Sequence, residues 1–118
     1  VSGDVLNPVQ VEQAIRTLAN SISRGVTVVS NAEASARKAR HAYDLAFARA
    51  YMAHPGPAHE KKYAAEIVTE QERADVDVQE VAFRHAERTA RALSEELRAW
   101  QSVGASVRAM YSTPGGSV

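Results

Sequence analysis

The sequence predicts an all-α fold: a long antiparallel helical hairpin, coiled-coil-like, whose copies assemble into an oligomeric helical bundle. Three observations carry that expectation. Of 118 residues, 22 are alanine against 5 leucines and 3 isoleucines. The chain therefore lacks the bulk for a thick globular core, but suits narrow seams between closely approaching helices. Prolines stand only at 8, 55, 57 and 114, which leaves two long proline-free stretches, 8–53 and 58–111. In both stretches small and apolar residues recur at alternating steps of four and three, the period of a coiled-coil face.

The first helix is expected over about 8–53. Asn7 can cap it, Pro8 suits the first helical position, and Gln10 completes a capping box. Its seam runs through 11, 15, 18, 22, 25, 29, 32, 36, 39, 43, 46, 50 and 53, and none of these thirteen residues is charged. Arg24-Gly25, the β-branched Val26–Val29 and the capping box Ser30-Asn31-Ala32-Glu33 together argue for a kink at 25–30. Because the seam keeps its phase across that segment, one continuous or mildly bent helix is favoured. His54-Pro55-Gly56-Pro57 reads as the turn. A second helix follows over about 58–111, then a flexible tail, 112–118, from Pro114-Gly115-Gly116. The whole is one helical domain, 1–118.

Two registers compete in the second helix. Positions 83, 86, 90, 93, 97, 100, 104, 107 and 111 form one seam. Upstream, Tyr63, Ile67, Ala74, Val78 and Val81 follow another, so the seam is expected to drift near 81–83. Val9, Val28, Leu45, Phe47, Val68, Val76 and Val103 lie off both. A two-helix hairpin buries one stripe per helix, and alanine contributes little area, so self-association into a homo-oligomer is expected to bury the rest.

The formal net charge is zero, which argues against a uniformly basic nucleic-acid coat. Locally the balance differs. Residues 37–62 carry six basic groups (Arg37, Lys38, Arg40, Arg49, Lys61, Lys62) against two acidic ones, and 63–80 carry one basic against six acidic. A basic turn, repeated in an oligomer, could meet phosphates, with Tyr51 and Tyr63 nearby to stack on bases. The alternative is internal pairing, with residues 37–49 opposite 63–75.

Chemistry is sparse. With no cysteine there is no disulfide, thiolate zinc site or cysteine nucleophile, as suits a reducing cytoplasm. His59-Glu60-Lys61-Lys62-Tyr63 begins like a zinc-protease helix, but Tyr63 stands where the second histidine belongs. Ser35-x-x-Lys38 lacks its companion motifs. The carboxylates at 66, 70, 72, 75 and 77 lack the histidines of a di-iron bundle and the glycine of a calcium loop. Trp100 falls in the seam and reads as core. No catalytic residue, metal site, cofactor or membrane span is expected.

The string Ala42-Tyr43-Asp44-Leu45-Ala46-Phe47-Ala48-Arg49-Ala50-Tyr51, the Pro57-Ala58-His59 turn, and Leu93 to Tyr111 (LSEELRAWQSVGASVRAMY) resemble small helical proteins of tailed bacteriophages. The resemblance covers 33–111. In length and helical character the chain also resembles phage recombination mediators of the UvsY type. These resemblances imply a non-enzymatic DNA-recombination or replication accessory protein in the cytoplasm of an infected bacterium, binding single-stranded DNA as an oligomer beside a recombinase. The alternative is a protein–protein interaction or assembly module, a phage structural protein or chaperone or a binder of a host protein, with no nucleic-acid role.

Overall fold

A computed structural model describes residues 6–112 of the chain. It holds α1 (Pro8–Ala53), α2 (Ala58–Val68) and α3 (Glu70–Ser112), with no strand among the described residues. This is the expected helical hairpin. The expected tail beyond Ser112 lies outside the described residues.

The capping box at the start of α1 forms in both directions. The Gln10 amide donates to Asn7 Oδ1 at 2.9 Å, and the Asn7 amide donates to Gln10 Oε1 at 3.1 Å, which satisfies two otherwise orphaned donors. Helix α1 then continues through 25–30 without a break. The second capping box is not used: Glu33 instead accepts from Arg37, one turn on, at 3.4 Å. The β-branched run and Gly25 cost helix propensity locally, and seam burial on either side offsets that cost.

In the turn, the Pro57 carbonyl accepts the amides of Glu60 and Lys61, both at 3.0 Å. Pro57 itself stays extended at φ −69°, ψ 165° as the cap of α2. The single helix expected over 58–111 is instead two, separated by Thr69 (φ −101°, ψ 19°). Thr69 is buried, and its hydroxyl donates to Ala65 O at 2.6 Å, a carbonyl that also takes the Thr69 amide at 3.0 Å. Threonine bonding back to the preceding turn bends helices. The Arg73 amide still reaches Thr69 O at 3.0 Å, so the interruption is one residue wide.

The chain divides into two compact units, one of Val1–Thr27 with Arg88–Val118 and the other Val28–Glu87. In the first, Val11 and Leu18 of α1 and Val107 of α3 are all buried. Gly104 sits where a Cβ would stand 3.2 Å from Val11 Cγ1 and 3.6 Å from Ile15 Cδ1, so glycine lets the helices close up there. Trp100 is half-buried and borders a groove with Leu18, in keeping with a packing role.

In the second unit the α1 seam positions 29, 32, 36, 39, 43, 46 and 50 are all buried or half-buried, while Ala53 is exposed. Opposite them the expected drift does not occur. The residues turned inward are Ala65, Thr69, Glu72, Val76, Gln79, Phe83 and Ala86, in steps of four and three that stay in phase with the seam downstream. Tyr63, Ile67, Ala74, Val78 and Val81 are exposed. They are a second face of the helix, not a displaced seam. Val76, which the sequence puts off the seam, is only 2% exposed and belongs to it.

Candidate functional site

The basic residues around the turn are placed by helical geometry on separate flanks. At about 100° per residue, Arg37 and Arg40 lie on one side of α1, and Lys38 and Arg49 on the other. The first pair is engaged. Arg37 meets Glu33 at 3.4 Å, and Arg40 crosses to α3 to meet Glu80 at 2.5 Å. Glu80 also holds Arg84 at 3.2 Å. The hydrogen bond that Arg40 donates to Glu80 raises the pKa of its guanidinium above the ordinary value. Basic does face acidic between the helices, but one to two turns further along α3 than the expected pairing of 37–49 with 63–75. Arg40 lies at the level of Val76, Asp77 and Glu80.

Lys38 borders a groove with Glu72 and Asp75. Arg49 and Lys62 are exposed, and neither forms an ion pair among the described residues. Lys61 Nζ stands 5.8 Å from the centre of the Tyr51 ring, a cation–π distance. Tyr51 in turn stacks on Phe47 at 6.4 Å, and Phe47 meets Tyr43 at 6.0 Å. Tyr51 is thus one rung of an aromatic ladder along α1, already covered by Lys61. Tyr63 stands on the outer face of α2. The structure does not gather the two tyrosines and six cations into one cradle.

It builds something else on the same unit. The outer face of α2 and α3 presents Tyr63, Ile67, Val78 and Val81, exposed by 63, 74, 63 and 64%, with exposed Ala74 between them. Glu66, Glu70, Asp75 and Asp77 flank this stripe and are exposed. The inner face of the same helices holds Thr69, Glu72 and Gln79 beside Ala65 and Val76. This part of the chain therefore turns polar side chains inward and large apolar ones to water, the reverse of an ordinary surface helix. Sequence periodicity finds the stripe at 63–81, but not which way it faces.

The outer face of α1 in this unit differs. Leu45, Ala48 and Met52 are exposed and follow heptad spacing, with Lys38 and Arg49 beside them. A groove of about 500 Å³ runs between Arg37, Arg40, Glu80, Phe83 and Arg84 and is open to solvent, its cations already held by Glu33 and Glu80. At the turn, His54 Nε2 lies 3.5 Å from Glu60 Oε2, closing over Gly56. Among the described residues no three His, Asp or Glu side chains are grouped to hold a metal ion, and no helix is long and apolar enough to cross a membrane. No protein-family model, curated protein or solved structure matches the chain.

Proposed function

We propose that the chain is a non-enzymatic protein–protein interaction or assembly module whose working surface is the outer face of α2 and α3. One observation carries this reading: between Tyr63 and Val81 four large apolar side chains, Tyr63, Ile67, Val78 and Val81, stand in water, while Thr69, Glu72 and Gln79 share the inner face with Ala65 and Val76. Leaving that face in water forfeits roughly 1.5–3 kcal/mol for each large side chain that could be buried. Contiguous apolar patches with polar rims mark interaction sites. The test is a photoreactive side chain introduced at Val78 of the full chain in cells. A protein adduct is expected, and it should vanish when Ile67→Asp is added. A Val78 probe that captures no protein refutes the reading.

A second reading is single-stranded DNA binding in a phage recombination or replication accessory role. It is favoured by Lys38, Arg49 and Lys62, cations that are exposed and carry no ion pair among the described residues. Neutralising Lys38, Arg49 and Lys62 together should weaken binding and flatten its salt dependence. A purified chain that leaves single-stranded DNA unshifted at low salt ends this reading. The likeness to small tailed-phage proteins suits either role in an infected bacterium.

A further inference from the structure

We infer that the partner seated on the α2/α3 stripe is the outer face of α1 from a second copy of this chain, so that copies associate front to back rather than stripe to stripe. The inference rests on the reading of that stripe as an interface and names its occupant.

Charge decides between the two arrangements. In the turn-proximal unit, residues 58–87 carry eight acidic groups against four basic, and residues 28–53 carry four basic against two acidic. Two copies meeting stripe to stripe would bring Glu66, Glu70, Asp75 and Asp77 of both chains to one seam, and like charges opposed across an interface are costly. The outer face of α1 has the complementary character. Leu45, Ala48 and Met52 supply apolar contact at heptad spacing, and Lys38 and Arg49 supply the opposite sign. The lengths also agree: Lys38 to Met52 spans about 21 Å of helix and Tyr63 to Val81 about 27 Å.

Register follows from the pairing within one chain. Arg40 lies level with residues 76–80 of α3. Copies related by rotation about an axis parallel to the helices are not shifted along it, so the same levels hold between copies. Met52 then comes level with Ile67, Leu45 with Ala74, and Arg49 with Glu70. Met52 and Leu45 meet apolar side chains and Arg49 meets an exposed carboxylate, while Val78 and Val81 come level with His41 and Lys38. Such a contact joins two different patches, and without a shift along the axis it closes into a ring.

The chain contains no cysteine, which makes disulfide trapping clean. Met52→Cys and Ile67→Cys are prepared as separate full-length variants, mixed and oxidised. A disulfide needs Cα atoms within about 7 Å. The mixed 52–67 dimer should exceed either same-site dimer, with Tyr63→Cys, one turn earlier, as a second partner for 52. Dominant 67–67 dimers, or no disulfide between copies, overturn the inference. If at the same time the Val78 probe captures a different protein, the interaction surface stands and only its occupant is wrong. As an independent measure, light scattering of Glu70→Arg should show association weakened by at least about tenfold, and adding Arg49→Glu should restore it. Failure of the second change to rescue the first also overturns the pairing.

Discussion

Two glycines inside the long helices offer a controlled measurement of how closely α1 and α3 approach. Gly25→Ala and Gly104→Ala make the same chemical change in helix interiors, and each should gain about 0.8–1 kcal/mol of helix propensity. The surroundings differ. A Cβ at Gly25 meets nothing within 4 Å, whereas one at Gly104 stands 3.2 Å from Val11 Cγ1. Val11 is only 2% exposed, and as a β-branched helical residue it has one strongly preferred rotamer, so it yields only if the helices separate. Overpacking of this kind costs about 1–3 kcal/mol. Gly25→Ala should therefore stabilise by about 1 kcal/mol, raising Tm by roughly 4–8 °C. Gly104→Ala should fall between neutral and about 2 kcal/mol destabilising once the propensity gain is subtracted. Thermal and urea unfolding followed by circular dichroism, at one protein concentration for all variants, reads both. If Gly104→Ala stabilises as much as Gly25→Ala, the close approach of α1 and α3 at Val11 is wrong.

Three further outcomes are expected. Val76→Ala, at a site 2% exposed, should cost about 2 kcal/mol; Val78→Ala, at 63% exposed, should leave stability within about 0.5 kcal/mol at dilutions that prevent association, while lowering the apparent mass at higher concentration by light scattering. Glu80→Gln should weaken the link from Arg40 and Arg84 to α3. Because the folded-state pKa of Arg40 is raised, that pair's contribution is fully present below the ordinary arginine value and fades only as pH rises through the raised one, so the difference between Glu80→Gln and the parent should stay flat on alkaline titration across the range where lysines titrate. Gly56→Ala would drive its Cβ into Glu60 Oε2 and to 2.8 Å from His54 Nε2. Both are movable side-chain ends, so the His54–Glu60 contact should open with less than about 0.5 kcal/mol lost, read as a changed His54 imidazole chemical shift with little change in Tm.

Much of the fold was legible because its signals are local or strictly periodic. The prolines and the Asn7–Gln10 box act within a few residues, and α1 begins and ends where they say. Twelve of the thirteen α1 seam positions are buried or half-buried, since an unbroken stripe of uncharged residues on one helix has a single reading. The second helix was less legible because it carries two stripes. Thr69, Glu72 and Gln79 make the inner one look polar, so the outer one passed for a shifted seam. Thr69 also hid the helix break, because a threonine hydroxyl bonding back one turn leaves no sequence mark distinct from threonine in an intact helix. The candidate site suffered in the same way. Counting charges between 37 and 62 locates a basic segment, but a count cannot say that Arg37 and Arg40 are engaged by Glu33 and Glu80.

The sequence alone therefore determined α1, the turn, the α1 seam and the local charge imbalance, all properties of residues near one another along the chain. Only the tertiary structure decided which stripe of α2 and α3 meets α1, which cations are neutralised, and hence which apolar face is left outward. Those outcomes depend on how two helices rotate about their own axes when they pack, and an apolar stripe has the same period whether it faces the partner helix or the water.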